Sequence, residues 1–256
     1  MTPLNSYNPD RYYARVIIIT FLFFTGSISG YAQNPGSTER KQLFDYSWKF
    51  FLGDTASARS KDFNDENWRN LDLPHDWSIE GKVNPKNPMG GAGGYFPAGV
   101  GWYRKTFKVP NEWKGKNISI YFEGVYMNSE VFINGKSLGI HPYGYSSFRY
   151  NLSPYLDFGN ENLIAVRVDN SQQINCRWYS GSGIYRHVWM TVTEPVHVAN
   201  WGIAVTTPEV SSKKATVQIK TIIKNETGLS QSIVLKTMLS DASANDAGNN
   251  QIKLQL

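Results

Sequence analysis

The sequence predicts an all-β protein: an antiparallel sandwich followed by the beginning of a second one. Three observations carry that expectation. Short segments with apolar residues at every second position recur along the chain, the period of a strand with one buried face. Past the first 32 residues, no window keeps apolar residues at i, i+3 and i+4 for three turns, so no amphipathic helix is expected. Aromatic residues make up 14% of the 256 residues, with 8 Trp, 15 Tyr and 13 Phe, and flat rings suit a pleated, half-buried surface.

Taken in order, residues 33–42 are polar and read as loose. DYSWKFFLGD, 45–54, alternates and reads as the first strand. DFNDENWRNLDLPHDW, 62–77, reads as a turn at Asp65-Glu66-Asn67 followed by a strand that begins near Trp68. VNPKNPMGGAGGYFPAGVG, 83–101, is too rich in Gly and Pro for a regular element; long loops of this kind often serve function. WYRKTFKV (102–109) and NISIYFEGV (117–125) alternate again. In SEVFINGKSLGIH, 129–141, Asn134-Gly135 between alternating apolar residues is a strong hairpin signal. Strands are then expected in 146–156, 162–170 and 184–194. In the last, a bend at Gly181-Ser182-Gly183 should lead into Ile184, Val188 and Trp189 packed in the core.

Pro195 marks a boundary, beyond which aromatics nearly vanish. VANWGIAVTTPEV, ATVQIKTIIKN and QSIVLKTML read as strands, DASANDAGNN (241–250) as a polar loop, and QIKLQL as a further strand. This pattern suits an immunoglobulin-like sandwich. Residues 196–256 fall short of the seven strands and about 100 residues that such a domain needs, so a truncated second domain is expected.

Composition excludes several functions. The hydrophobic share of 41% against 18% charged supports a core, and the net charge of +5 is spread with no run of five Lys or Arg. A nucleic-acid footprint needs a concentrated basic patch, so that partner is not expected. Arg11 and Arg15 precede the apolar run VIIITFLFF at 16–24, and Gly-Tyr-Ala closes at residue 32. That is the pattern of a secretory signal peptide, too short for a transmembrane helix of about 20 apolar residues. Residues 1–32 are therefore expected to be removed, leaving a periplasmic or secreted chain with no membrane partner. The single cysteine, Cys176, permits no intrachain disulfide and reads as a small packing residue. His75, His141, His187 and His197 follow no metal-ligand spacing. Neither a phosphate-binding G-x-x-x-x-G-K-[ST] nor a G-x-S-x-G nucleophile turn occurs. No metal and no cofactor are expected.

Four stretches occur in a telling order: LPHDW at 73–77, GVGWYRKTF at 99–107, FEGVYMNSEVFINGKSLGIHPYGYSSF at 122–148, and RWYSGSGIYRHVW at 177–189. Together they resemble the N-terminal sugar-binding domain of glycoside hydrolase family 2 over roughly residues 40–195. The branch they are most similar to is the β-galactosidases. The resemblance implies a jelly-roll, galactose-binding-like sandwich for residues 33–195, followed by an incomplete immunoglobulin-like sandwich. In that family a TIM barrel comes next and carries two glutamates for retaining hydrolysis, with carboxyl groups about 5–5.5 Å apart. Residues 196–256 are too few for a barrel of about 250 residues, so no catalytic residue is expected here; Glu123, Glu130 and Glu161 sit in strand or turn patterns. The implied partner is a carbohydrate, a β-galactoside-type glycan bound by the complete enzyme, with a homo-oligomer of that enzyme left open. A β-mannosidase or β-glucuronidase parent stays open, as does a free-standing carbohydrate-binding module.

The resemblance also points to site residues. In the family, the loop before the last strand faces the barrel's mouth and helps wall the sugar subsite. Arg177, Trp178 and Tyr179 lie on that loop, as sugar contacts or as props between domains. The Gly/Pro loop ending at Gly99 plays a similar part. Some relatives use an Asn on that loop and an Asp on the later one as sugar contacts; Ala98 and Cys176 stand in those places here. His75 and Asp76 are either a contact pair or a buried hydrogen-bonded corner.

Overall fold

The computed structural model describes residues 40–175 and 177–256; the expected signal peptide and Cys176 lie outside the described residues. The described chain falls into two compact units, one within Pro35–Pro195 and the other Val196–Leu256. The first contains β1 (Lys41–Leu43), β2 (Trp48–Leu52), β3 (Arg69–Leu71), α1 (Trp77–Glu80), β4 (Gly99–Lys108) and β5 (Asn117–Phe122). It continues with β6 (Ser129–Ile133), β7 (Lys136–His141), β8 (Phe148–Asn151), β9 (Glu161–Asn170) and β10 (Val188–Thr193). Two antiparallel sheets result, in the orders β1-β10-β5-β8 and β3-β2-β4-β9-β6-β7, the all-β jelly-roll arrangement expected.

Alternation explains the core. Ile118 and Ile120 of β5, Val131 and Ile133 of β6, Ile164, Val166 and Val168 of β9, and Val188 and Met190 of β10 all join one buried cluster with Trp48 and Tyr103. Each fully buried aliphatic or aromatic side chain of this kind contributes roughly 1.5–3 kcal/mol. The opposite face of the six-stranded sheet is also covered. There Ala58, Trp68, Trp102, Phe132 and Ala165 form a second buried cluster, roofed by the segment between β2 and β3. Arg104, 3% exposed, is held in that layer by the Asp65 carboxylate at 2.7 Å and the Ser60 carbonyl at 2.9 Å, the pairing a buried charge requires. The hairpin expected at Asn134-Gly135 joins β6 to β7, with φ of 48° and 82° at the two turn residues.

Several expectations need correction. Lys41 and Gln42, the end of the stretch read as loose, join Leu43 in β1 because β10 offers them an edge: Gln42 pairs with Met190. The 45–54 strand is shorter, and the 62–77 strand is confined to Arg69–Leu71, with a one-turn helix opening at Trp77. The Gly/Pro loop ends earlier, because Gly99 to Gly101 already pair with Asn170 to Val168. The segment 184–187 precedes the last strand. Trp189 does not face the core: Val188 and Met190 point inward, so their neighbour points out. Its indole N–H donates to Glu123 at 2.8 Å, and the Lys41 ammonium lies 3.8 Å from its ring centre.

The second unit contains β11 (Val196–Val210), β12 (Ala215–Asn225), β13 (Ser232–Ser240) and β14 (Asp246–Gln255), paired as two antiparallel two-stranded sheets. The loop expected over 241–250 is only half as long. The Asp241 carboxylate accepts the Ser243 and Asn245 N–H groups at 2.8 and 2.9 Å. This tight turn lets Asp246 pair with Ser240.

Candidate functional site

The motifs LPHDW and YSGSGI, about a hundred residues apart in sequence, clasp one another. His75 N–H donates to the Ile184 carbonyl at 2.8 Å and Trp77 N–H to that of Ser182 at 3.1 Å. Gly183 and Tyr126 exchange two backbone hydrogen bonds of 2.9 Å. Gly183 has φ +129°, and a Cβ there would stand 2.7 Å from the His75 carbonyl oxygen, so only glycine fits.

Asp76 is the hub of the clasp. It caps α1, its Oδ1 accepting the Ser78 N–H at 2.9 Å, and the same oxygen accepts the Ser182 N–H at 2.9 Å. Its Oδ2 accepts the Tyr179 hydroxyl. Burial, with this carboxylate beside it, pushes the Tyr179 hydroxyl well above the ordinary phenol range, so it remains a neutral donor. Beneath, the Ser78 and Ser182 hydroxyl oxygens are 2.7 Å apart, the Asn170 amide donates to Ser182 at 2.8 Å, and Ser78 donates to the Pro97 carbonyl at 2.6 Å. This chain of bonds ties the end of the Gly/Pro loop to the clasp.

His75 is buried within the corner. Its Nδ1 lies 2.6 Å from the Tyr103 hydroxyl and its Nε2 3.2 Å from Glu80. Glu80 in turn accepts two hydrogen bonds of 2.6 Å from Arg69, which hold its carboxyl down at about 2. Burial lowers the His75 pKa and raises that of Tyr103. A neutral imidazole with both nitrogens engaged inside the fold is a structural corner. Asp76 likewise spends its oxygens on the protein's own donors.

The residues of RWYSG divide differently. Tyr179 is anchored, by Asp76 and by its ring against Phe96 at 4.9 Å. Trp178 is exposed, its indole N–H 3.3 Å from the Tyr145 hydroxyl. Arg177 is exposed and, among the described residues, makes no hydrogen bond or ion pair. Gly99 opens β4 opposite Asn170, whose amide donates into the clasp at Ser182 and Gly181. The clasp therefore brings Asp76 and Tyr179 together, aims Arg177 and Trp178 outward, and leaves His75 inside. Sequence reasoning missed Tyr145, Ser182 and Asn170. Tyr145 had a signal, the paired tyrosines of PYGY within a quoted motif. Ser182 was read only as part of the Gly181-Ser182-Gly183 bend, because its partner Asp76 lies 106 residues away. Asn170 had none, although Gln173, Asn175 and Ser182 lie within 12 residues of it.

Away from this corner, a cavity of about 480 Å³ is lined by Asp54, Arg59, Trp102, Glu130, Phe132 and Arg167. Within it Arg167 pairs with Asp54 at 2.6 Å, and also with Asp169 at 3.2 Å. Among the described residues no group of three His, Cys, Asp or Glu is placed to hold a metal, and no helix is long and apolar enough to cross a membrane.

Comparison with known proteins adds to this geometry. A β-galactosidase of Bacteroides ovatus, BoGH2A, is 49% identical over 215 residues, covering 84% of this chain and 25% of that protein. A putative β-glucuronidase of Formosa agariphila is 43% identical over 195 residues, covering 76% of this chain and 19% of its own length. The chain thus spans a quarter or less of these relatives. A crystal structure of a glycosyl hydrolase family 2 member from Bacteroides cellulosilyticus superposes with a TM-score of 0.81 at 38% identity, over 85% of this chain and 29% of that one. Residues 45–195 match the family described as glycosyl hydrolases family 2, sugar binding domain, and the chain belongs to that family.

Proposed function

We propose that this chain is the N-terminal, non-catalytic part of an exported family 2 enzyme that hydrolyses terminal β-galactosides. In this reading the sandwich braces the catalytic barrel, and Arg177 and Trp178 wall its sugar pocket. The 49% identity to a β-galactosidase carries the choice of substrate. The clasp supports the choice of wall, since it fixes Tyr179 while leaving Arg177 uncommitted. A guanidinium offers five donors in a rigid fork, suited to sugar hydroxyls. A β-glucuronidase is the second reading, favoured by the 43% identical relative and by the fit of that guanidinium to a uronate carboxylate. Export rests on the leader pattern of residues 1–32.

The complete polypeptide carrying this chain should turn over nitrophenyl β-galactoside at least tenfold better than the β-glucuronide or β-mannoside. The reverse ratio would replace the substrate. In the same protein, Arg177→Ala should lower kcat/KM roughly ten- to a hundredfold, since losing a charged hydrogen bond costs about 1.5–3 kcal/mol. The melting temperature should stay in place. A lower melting temperature with unchanged efficiency would make Arg177 a prop between domains.

A further inference from the structure

Beside the clasp, three aromatic rings stand together in the open. Trp178 is 61% exposed, Tyr143 59% and Tyr145 46%. Large rings in water usually mark a contact surface when they are contiguous, and these are. Tyr145 packs edge-on against Tyr143 at 5.7 Å and against Tyr126 at 5.2 Å. Its hydroxyl lies 3.3 Å from the Trp178 indole nitrogen.

The ridge is held in place from below. Gly144, between the two tyrosines, is buried, and a Cβ there would stand 2.7 Å from an atom of the Tyr126 ring. Its carbonyl accepts the Tyr185 hydroxyl at 2.8 Å, and Tyr126 is locked by its two bonds to Gly183. A loop pinned at its centre projects the side chains on either side. The ordering cost of presenting the rings is thus largely met before any ligand arrives.

We infer that Tyr143, Tyr145 and Trp178 form a stacking platform for a pyranose ring, accepting a sugar unit of an extended glycan beyond the residue to be cleaved. The inference rests on the proposed reading of Arg177 and Trp178 as a pocket wall and extends it to a second sugar. Because Tyr143 and Tyr145 meet edge-on, one ring stacks on the C–H face of the pyranose while its neighbour closes the side, and each carries a polar tip for hydroxyls, the combination that makes Tyr and Trp effective in partly wet sites. The exposed Arg177 guanidinium, adjacent in sequence to Trp178, adds donors that a purely apolar partner would leave unused.

The test is titration of the 256-residue chain with β-galactotriose, cellotriose and a glucuronate-ended trisaccharide, followed by nitrogen-15 NMR. The Trp178 indole signal is assigned by its loss in Trp178→Phe. A saturable shift of that signal is expected, with an affinity on the order of millimolar, weakened at least about tenfold in Tyr145→Ala. Unchanged spectra elsewhere in Tyr145→Ala would show that the fold survives. No saturable shift with any of the three sugars, up to about ten times that concentration, overturns the inference. So does a shift that depends on protein concentration without sugar, because the occupant is then a second copy. Preference among the sugars does not decide the platform; it bears on the substrate, which the nitrophenyl glycoside ratio measures separately.

Discussion

Residues 196–256 alternate as regularly as residues 40–195, yet the two stretches reach different states. In the first unit alternation places Trp48, Ile120, Val166 and Val188 in a layer with no exposed surface. In the second, β13 alternates exposed and half-buried positions along most of its length, and only His197, Ala199 and Gly202 are buried. The strand chemistry is the same; the difference is that the faces of the two two-stranded ribbons in the second unit stay largely in water. Period two makes a ribbon with an apolar face; stability comes when another face removes that surface from water.

Paired substitutions can break this comparison. Trp48→Ala should cost the first unit about 3–5 kcal/mol, the range for a buried Trp. Ile222→Ala, at a position 62% exposed, should cost under about 0.5 kcal/mol. Denaturant unfolding followed by amide exchange in each unit measures both. Equal costs would mean that the second unit has a core of its own.

A smaller effect sharpens the contrast within the first unit. Asp76→Ala removes the acceptor shared by Ser78, Ser182 and Tyr179 and should cost about 2–3 kcal/mol. Tyr179→Phe removes one of those bonds and should cost about 1 kcal/mol. Both are read from the denaturation midpoint. If Asp76→Ala costs no more than Tyr179→Phe, the carboxylate is not the hub described.

The smallest effect is a pH response of the first unit. His75 has a folded pKa below its ordinary 6.5 because of burial. The unfolded chain therefore binds more protons just below pH 6.5, and stability falls as pH drops through that region. Glu80, held at about 2 against an ordinary 4.5 by Arg69, acts in the same sense at lower pH. Its contribution is complete above 4.5 and fades as pH falls toward 2. His75→Gln should flatten the upper part of the profile; an unchanged slope between pH 6.5 and 5 would remove His75 as its source.

Much of the fold was legible because strands and turns have local signals. Asn134-Gly135 announced its hairpin, and the apolar alternation of 162–170 announced β9. The failures share a cause, which is partners distant in sequence. Lys41–Leu43 carries no strand pattern and becomes one through β10. Trp189 looked like core because it is large, yet its face is set by the register of Val188 and Met190. At the site, Gly181-Ser182-Gly183 signalled a bend, but nothing local showed that Asp76 would receive it. The exposure of Tyr145 was equally hidden, since it depends on Gly144 meeting the Tyr126 ring.

The first strand and the last strand of the sandwich lie side by side, Lys41 opposite Thr191, and Asp76 meets Ser182 across a separation of 106 residues. Contacts this remote must close large loops before they return any stabilisation, which places the domain among slow folders. During synthesis at about 5–20 residues per second, the strands made first wait on the order of ten seconds for the partner that covers them. The nascent chain thus passes through a period with its Trp- and Phe-rich ribbons open, and its yield depends on what shields them until the RWYSGSGIYRHVW segment emerges.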